Sequence, residues 1–363
     1  MPGRRHLTRL FMTALLAVGG VFSSSQIMAE NLRIGIVGLD SSHSEQFTLR
    51  LNDPANPNHI PGARVVAAFP GGSPDLPESA TRVEGFTATL RDKYGVKILG
   101  SISEVCAQVD AVMILSMDGR PHLEQARQVI LSGKPFFLDN PVAASLKQAV
   151  EICKLADAAK VPFSSASATR WWPGIVEVAA AEPAPARAAL VYGPAPVLAH
   201  HPDLFFYGIH STEALFTVMG AGCQSVERLS SKDTSVITGT WIGGRQGTLH
   251  ALHYLPMDST SYKLIRFGQA GIAEQKTLGD YTPMLREIVK FFQTKQPPVS
   301  IPQMLEIYAF MEAAQESQKK NGSNVQLRDL LQKAGAPEAW MPPLPPAPAP
   351  AVKPVPAAPA TKK

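Results

Sequence analysis

The amino-acid sequence predicts an α/β protein in which a doubly wound parallel sheet precedes an α+β domain with a mostly antiparallel sheet. Three observations support this prediction. In the first half of the 363-residue chain, short apolar runs alternate with amphipathic helical patterns, which is typical of parallel strands joined by helical crossovers. From about Ala166, strand-like segments appear between glycine-rich turns. Two helical patterns, at 282–295 and 302–320, then close the second domain.

The parallel sheet is predicted from four runs that are apolar almost throughout, as strands buried on both faces should be. These runs cover 33–37, 63–69, 111–115 and 135–139. Helices are predicted between and after them at 45–52, 88–94, 122–133 and 145–160. In the third of these helices Leu123, Ala126 and Ile130 fall on one face, and Gly133 ends it.

Residues 1–29 have the layout of a secretory signal peptide. A basic segment with Arg4 and Arg5 precedes an apolar stretch at 11–22, and a polar segment follows with Ala29 near its end. The apolar stretch is shorter than the roughly 20 residues that span a bilayer. We therefore expect cleavage after Ala29, export to the periplasm or outside the cell by the Sec or twin-arginine route, and no stable membrane span afterwards.

The composition excludes some classes of function. The formal charge is +4, and we see no basic stripe with interleaved aromatic residues, so nucleic acid is not an expected partner. The three cysteines are scattered, and the pair His200–His201 fits no standard zinc spacing. We therefore expect no metal site. Residues 334–363 are rich in proline and alanine, which predicts an extended, disordered tail.

The segment after the first strand has the position of the phosphate-binding loop of a Rossmann-type fold. Such a loop has three glycines, which permit a tight turn, close approach to a pyrophosphate and close helix packing. The three positions are occupied here by Gly38, Asp40 and His43. Asp40 places a negative charge beside two phosphates, unless it turns outward and caps the following helix. The candidate cofactor-binding residues of this loop are Gly38, Leu39, Asp40, Ser41 and His43.

A second sign of dinucleotide binding is also incomplete. An acidic residue usually ends the second strand and binds the ribose hydroxyls. The second strand here ends at Phe69-Pro70, and the nearest acidic residue is Asp75.

Several separated segments resemble the Gfo/Idh/MocA family of two-domain sugar dehydrogenases, which includes glucose–fructose oxidoreductase and inositol dehydrogenase. The resembling segments are "SGKPFFLDNPVAASLKQAVEICKLA" at 132–156, "ATRWWP" at 168–173, "YGIHSTEALFTVMG" at 207–220 and the C-terminal helices at 288–327. The resemblance covers roughly Leu32 to Leu331. It implies a dinucleotide-binding domain at 30–145 and a domain for substrate binding and oligomerisation at 146–333.

The resemblance also implies a cofactor and partners. The cofactor would be NAD or NADP, and it would be tightly bound because an exported enzyme cannot draw on a soluble cofactor pool. The substrate would be a carbohydrate, and the second sheet would pair subunits in a homo-oligomer.

The family's Glu-Lys-Pro motif is Asp139-Asn140-Pro141 in this chain. The catalytic lysine is therefore absent, and Asn140 can form hydrogen bonds but cannot carry charge. The resemblance implies that Asp139 and Pro141 contact the cofactor, that Asn140 lies at the catalytic position, and that the peptide bond before Pro141 is cis.

The resemblance places His210 in the family's catalytic helix, where Gly208 is also retained and Phe206 replaces an aspartate. We predict that His210 is the general acid and base, because histidine exchanges protons near neutral pH. Glu213, one helical turn later, is predicted to orient its ring. The candidate substrate-binding residues are His122, Arg170, Trp171 and Tyr207.

Three functions remain open from the sequence. The first is an exported NAD(P)-dependent oxidoreductase that acts on a sugar or sugar-derived polyol. The second is an NAD-dependent glycosidase on the same fold. The third is a non-catalytic nucleotide- or carbohydrate-binding protein that has lost the catalytic lysine.

Overall fold

The computed structural model describes residues 31–198, 201, 204–256 and 261–344. The predicted signal peptide, His200 and the tail beyond residue 344 lie outside the described residues. The described chain contains two sheets with their helices, and the predicted fold class is confirmed.

The first part of the chain forms a six-stranded sheet in which every pairing is parallel. Its strands are β1 (Leu32–Val37), β2 (Ala63–Phe69), β3 (Lys97–Ile98), β4 (Ala111–Ile114), β5 (Phe136–Leu138) and β6 (Phe163–Ser164). The helices of this part are α1 (Ser42–Asn52), α2 (Pro77–Ala80), α3 (Val83–Tyr94), α4 (Ile102–Gln108), α5 (His122–Leu131) and α6 (Leu146–Ala159).

The strand order of this sheet, β3-β2-β1-β4-β5-β6, determines where a ligand site is expected. The order reverses between β1 and β4, so a crevice lies at the carboxyl ends of these two strands. The strands beside the crevice are buried on both faces: Ile34, Ile36 and every residue of β4 have no exposed surface. This burial explains why the strands are apolar throughout.

The second part of the chain forms a seven-stranded sheet of order β12-β11-β7-β10-β9-β8-β13. Its strands are β7 (Ala188–Pro194), β8 (Cys223–Ser230), β9 (Thr234–Trp241), β10 (Arg245–Leu252), β11 (Lys263–Phe267), β12 (Ile272–Glu274) and β13 (Val325–Gln326). The helices are α7 (Pro173–Ala179), α8 (Ile209–Met219), α9 (Thr282–Thr294), α10 (Ile301–Lys319) and α11 (Leu327–Lys333). The β7–β10 pairing is parallel, and the other pairings are antiparallel.

Helices α8 and α10 cover one face of the second sheet. Helix α10 begins at a capping box formed by Ser300 and Gln303. On the opposite face, Tyr192, His250 and Val236 are register neighbours on three adjacent strands. Tyr192 and Val236 are both 36% exposed, so this face presents apolar surface to solvent.

Two parts of the fold differ from the sequence-based boundaries. Helix α6 and strand β6 follow residue 145 but belong to the first sheet and its helices, because α6 packs on α5 and β6 pairs with β5. Residues 334–344, predicted as the start of the extended tail, instead contain a 3₁₀ turn at Glu338–Trp340. Arg328 holds this segment by donating to Glu338 and to the Pro342 carbonyl. Within the described residues, no helix has the length and apolar character needed to cross a membrane.

Candidate active site

A cavity of about 350 Å³ lies at the carboxyl edge of the first sheet, where residues of the second part of the chain complete its wall. The part of the chain that forms the first sheet contributes the start of α1 and the segment after β5. The second part contributes the segment before α7, the start of α8 and the loop before α9. This is the edge at which parallel sheets bind ligands.

His43 and Asp139 form a hydrogen-bonded pair in the cavity wall. His43 lies in the first turn of α1, and Asp139 directly follows β5. The His43 Nδ1–H donates to Asp139 Oδ2, while the backbone N–H of Asn140 donates to Asp139 Oδ1 over 2.9 Å. The His43 ring stacks on Phe47 at 4.9 Å and meets the Tyr281 ring edge-on at 4.6 Å. The sequence assigns both residues to cofactor binding but does not indicate their pairing.

His210 lies in the first turn of α8 and also lines the cavity. A π-helical turn at Leu204–Gly208 leads into this helix. The Ser167 hydroxyl lies 2.8 Å from His210 Nδ1. Burial lowers the pKa of His210 to about 4, His43 acts in the same direction, and Asp139 opposes them. His210 is therefore neutral at pH 7.

Asn140 presents a hydrogen-bond donor that the protein leaves unused. Its Oδ1 accepts from the hydroxyls of Ser165 and Tyr308, at 3.2 and 3.0 Å. Since Tyr308 also accepts from the Val142 N–H, its own hydrogen is directed to Asn140, which fixes the orientation of the amide. The Asn140 Nδ2 is buried and has no partner in the part of the chain that the structure describes. The peptide bond to Pro141 is cis, as the resemblance implied.

The structure gives Glu213 a different partner from the one predicted. Glu213 is buried, and its partner is the Arg170 Nε–H rather than His210. Burial raises the pKa of Glu213, and Arg170 opposes that rise. A buried carboxylate gains more from a cationic guanidinium than from a neutral imidazole. Arg170 is therefore engaged by Glu213 and does not line the cavity.

The other predicted substrate residues divide into two groups. Tyr207 lines the cavity, with its ring edge-on to His210 at 4.9 Å. Trp171 packs against the core, and its neighbour Trp172 lines the cavity instead. His122 is fully buried and lies outside the cavity wall.

His122 has a structural role. Its ring nitrogens lie 2.8 Å from the Pro141 carbonyl and 2.9 Å from the Ser116 carbonyl. The ring thereby joins the segments that follow β4 and β5, and both of its nitrogens lie beside backbone carbonyls of the fold.

Gly38 permits a close approach between the segments after β1 and β4. Its φ is 91°, and a Cβ at this position would lie 2.3 Å from Ser116 Oγ. Only glycine fits such a backbone and such a contact. The N–H groups of Gly38 and Leu39 donate to the carbonyls of Phe69 and Pro70, at 3.0 and 2.7 Å. The backbone N–H groups of these two predicted cofactor-binding residues are therefore already bound within the chain.

Asp40 is completely buried and does not cap α1, the alternative that the sequence leaves open. Its Oδ2 accepts from the Ser79 hydroxyl at 2.7 Å, and its Oδ1 accepts from the Met117 N–H at 3.1 Å. Burial raises the pKa of Asp40, and these hydrogen bonds oppose the rise. The N-cap of α1 is Ser41, whose hydroxyl donates to the Leu115 carbonyl. Ser41 and His43 line the cavity, whereas Gly38, Leu39 and Asp40 do not.

A second buried carboxylate joins the loops after β2 and β4. Asp118 accepts from the Ser73 hydroxyl at 2.6 Å and from the Arg120 guanidinium. Burial favours protonation of Asp118, but donors from His201, Arg120 and Ser73 outweigh it and hold its pKa well below the ordinary value. Arg120 also binds Asp75, the residue considered for a ribose contact. Within the described ranges, no group of three or more residues is arranged to hold a metal ion.

Comparison with known proteins identifies the first part of the chain. Residues 32–167 match the sequence model of an oxidoreductase family with an NAD-binding Rossmann fold, Gfo/Idh/MocA. The curated proteins contain no significant match.

Solved structures share the fold over most of the chain. A probable dehydrogenase from Thermotoga maritima superposes with a TM-score of 0.67 at 18% identity, covering 82% of this chain and 99% of that one. An oxidoreductase from Agrobacterium radiobacter, in complex with NAD+, L-tartaric acid and magnesium, superposes with a TM-score of 0.66 at 14% identity. The match covers 83% of this chain and 100% of that one. The myo-inositol dehydrogenase from Lactobacillus casei, in complex with NAD(H) and myo-inositol, superposes with a TM-score of 0.64 at 16% identity. The match covers 82% of this chain and 96% of that one.

Proposed function

We propose that the chain is an NAD(P)-dependent oxidoreductase acting on a sugar or sugar-derived polyol, and the match of residues 32–167 to the Gfo/Idh/MocA oxidoreductase family model supports this proposal. The reaction is the oxidation of a substrate hydroxyl by hydride transfer in the cavity. The observation that carries the proposal is the set of described groups that meet there: two histidines, His43 and His210, and the amide nitrogen of Asn140, which has no partner among the described residues.

The cavity residues fit the nicotinamide end of such a cofactor. The buried Asn140 Nδ2 needs an acceptor, because buried donors are almost always satisfied. The start of α1, where Ser41 and Ser42 line the cavity, is the positive end of a helix and favours an anion such as phosphate. When bound, an oxidised nicotinamide supplies the hydride acceptor.

The cavity wall also suits a ring that carries several hydroxyl groups. Tyr207 and Trp172 provide aromatic surface, on which the apolar face of a sugar ring can pack. Ser167 and Thr169 lie in the same wall and provide hydroxyls for hydrogen bonding. Small-molecule sites combine these features: apolar surface with a few polar groups that fix orientation. The Lactobacillus casei relative, whose structure contains NAD(H) and myo-inositol, supports polyols as the first substrates to test.

A binding protein without catalytic activity is the second candidate. The absence of the family's lysine at Asn140 favours it. The donation of the Leu39 N–H to Pro70, away from any ligand, favours it as well. Such a protein would bind a carbohydrate in the same cavity but would not reduce NAD or NADP.

Export of the protein is a further part of the proposal. The signal-like residues 1–29 support transport to the periplasm or outside the cell by the Sec or twin-arginine route. The N-terminal sequence of the protein from that compartment tests this directly. A mature chain beginning at Glu30 supports export, whereas an intact Met1 in the cytoplasm contradicts it.

The second sheet is proposed to pair subunits in a homo-oligomer. Its exposed face carries Tyr192, Val236 and His250 in register, and an exposed apolar patch often marks an interface. Light scattering on the protein as it elutes from a size-exclusion column is expected to give a mass above that of one chain. Val236→Asp, which places a charge on that face, is expected to shift the mass towards the monomer.

The proposed function is tested by measuring NADH or NADPH formation with a panel of polyols and sugars, beginning with myo-inositol and scyllo-inositol. The expected result is saturable reduction of one of the two cofactors. Asn140→Leu keeps the side chain's approximate size but removes the amide, so its kcat/KM should fall by about tenfold or more. Binding of a polyol without any cofactor reduction would support the non-catalytic alternative.

A further inference from the structure

We propose that His43, oriented by Asp139, is the base that accepts the proton of the substrate hydroxyl. The inference rests on the proposed function and assigns a proton acceptor within that site. It replaces the sequence-based expectation that His210 is the acid and base.

The bond to Asp139 determines which nitrogen of His43 is basic. An ionised carboxylate only accepts hydrogen bonds, so Nδ1 carries the hydrogen that Asp139 Oδ2 receives. In the neutral ring Nε2 is then the acceptor. Because the ring lines the cavity, Nε2 is the ring nitrogen left for a ligand. A carboxylate in this position also stabilises the imidazolium that forms on proton transfer, as in the serine protease triad.

The pair is held rigidly in place. Asp139 follows a buried strand of the parallel sheet and receives the Asn140 N–H on its other oxygen. The His43 ring is fixed by Phe47 behind it and by the edge of Tyr281. The side chain of His43 is 18% exposed and that of Asp139 is 7% exposed. The pair is therefore shielded but retains a route by which a proton can reach solvent.

The partner of His210 Nδ1 is a neutral hydroxyl rather than a carboxylate. Its Nδ1 lies 2.8 Å from the Ser167 hydroxyl, and the Thr169 hydroxyl lies 3.0 Å from the Ser167 oxygen and 2.8 Å from the His210 carbonyl. A hydroxyl can donate one hydrogen and can also accept, so this network fits either tautomer of the ring. A neutral hydroxyl does not stabilise an imidazolium as the Asp139 carboxylate does. His210 is therefore less suited than His43 to remove the proton of the substrate hydroxyl.

The proposed step transfers one proton and one hydride from the substrate. The O–H bond of the substrate breaks and an N–H bond forms at His43 Nε2, giving an imidazolium paired with Asp139. The carbinol C–H electron pair leaves with its hydrogen as hydride to an oxidised nicotinamide dinucleotide, and the alcohol becomes a carbonyl. The proton on Nε2 then passes to solvent, which returns His43 to its neutral form.

The proposal is tested by alkylating the full chain with bromoacetamide, whose CH2 carbon is attacked by the lone pair of a neutral imidazole nitrogen with loss of bromide. Modified peptides are located by mass spectrometry, and the modified nitrogen is identified by NMR. Of the two described histidines that line the cavity, His43 should react at Nε2, about tenfold faster than His210. The three cysteines do not compete, because all are buried. Faster reaction at His210, or reaction of His43 at Nδ1, in the wild-type protein would overturn the proposal.

Two variants make the test specific. Asp139→Asn replaces the carboxylate by an amide, whose single oxygen is retained by the Asn140 N–H and whose nitrogen then donates to His43 Nδ1. This favours the opposite tautomer and should slow the labelling of His43 Nε2 about tenfold or more. Ser167→Ala is the matched control: it removes the partner of His210 and should leave the labelling of His43 unchanged. A folded Asp139→Asn protein that labels at the wild-type rate would contradict the role of Asp139.

The outcome is separable from that of the proposed function. If none of the polyols and sugars supports reduction of NAD by the wild-type protein but His43 still reacts at Nε2, the proposed function fails and the assignment of the base stands. If the protein reduces NAD while His210 takes the label, the function stands and the assignment fails.

Discussion

The Asp40 carboxylate accepts the backbone N–H of Met117 at 3.1 Å across the point where the strand order of the first sheet reverses. The two loops that flank the ligand crevice are therefore bonded directly to each other. The second carboxylate oxygen of Asp40 accepts from the Ser79 hydroxyl, and Ser79 follows β2. The buried Asp40 side chain therefore joins the segments that follow β1, β2 and β4. In a dinucleotide-binding loop this position is a glycine that lets the backbone approach the pyrophosphate.

We predict that Asp40→Gly strengthens NAD binding by about tenfold or more, because it removes both a side chain and a carboxylate from the pyrophosphate position. Isothermal titration with NAD measures the effect. Asp40→Asn is the control that removes the charge but keeps the bulk, and it should give a smaller gain. Unchanged or weaker binding by a folded Asp40→Gly protein would show that the pyrophosphate does not pass this residue.

Gly38→Ala should destabilise the protein by about 2–4 kcal/mol, because it combines an unfavourable backbone conformation with overpacking. The φ of 91° and the 2.3 Å approach to Ser116 Oγ cause the two effects. Urea unfolding checks this value. Gly85→Ala is the matched control: Gly85 lies within α3, and a methyl group added to it would meet no atom within 4 Å, so alanine should stabilise by about 0.5–1 kcal/mol. Equal effects at the two sites would contradict the account of Gly38.

Glu306 should make stability depend on pH near neutrality. It is buried on α10 and accepts the N–H groups of Gly222 and Cys223, at 2.7 and 2.6 Å. Burial raises its pKa from 4.5 to about 7, while those two N–H groups and Arg245 oppose the rise. Between these two values the folded protein retains a proton that the unfolded chain releases. Its contribution to the free energy of unfolding is therefore full below about pH 4.5, falls as pH rises, and levels off above about pH 7.

Between about pH 4.5 and pH 7 the contribution of Glu306 to the free energy of unfolding is expected to fall by about 3 kcal/mol. Glu306→Gln, which stays uncharged and can still accept both N–H groups, should remove this slope and be the more stable protein at pH 8. Urea unfolding of both proteins at pH 5 and pH 8 measures the difference. The same slope in both proteins would mean that Glu306 does not titrate in this range.

His210 should remain neutral in the folded protein down to about pH 5, because burial and His43 lower its pKa to about 4. Its C2 proton resonance should therefore shift only below that pH. The stability it contributes is present above its unfolded value of 6.5 and is lost as pH falls towards 4.

If His210 donates a hydrogen bond to the substrate, His210→Ala should raise KM about tenfold and lower kcat less. His210→Gln, which retains a donor, should recover part of the loss. A loss in kcat of about 10²-fold or more at an unchanged KM would instead indicate that His210 transfers the proton.

The sequence predicts the main strands because burial on both faces leaves a clear local signal: β1, β2, β4 and β5 are apolar runs. Strands β3 and β6 have two residues each, too few for any periodicity, and they form because neighbouring strands are already in place. Helices α9 and α10 of the second part bury apolar side chains over several turns. Their helical patterns are therefore also visible in the sequence.

The site is harder to predict because its bonds join distant residues. His43 and Asp139 are 96 positions apart, and Asp40 and Ser79 are 39 apart. The sequence indicates that His43 and Asp139 each follow a parallel strand, but not that their side chains meet. Similarly, the helical spacing of His210 and Glu213 suggests a pair, yet Arg170 approaches from another segment and takes Glu213.

The most direct test of the central claim, that this is an NAD(P)-dependent oxidoreductase, is to denature the purified protein and to identify any released dinucleotide by mass spectrometry. The emptied protein is then refolded and titrated with NAD and NADP. We predict about one dinucleotide per chain, either released or bound on titration, despite the Asp40 bridge. No released dinucleotide, and no binding of either cofactor up to millimolar concentration, would contradict the claim and indicate a Rossmann fold that does not bind a dinucleotide.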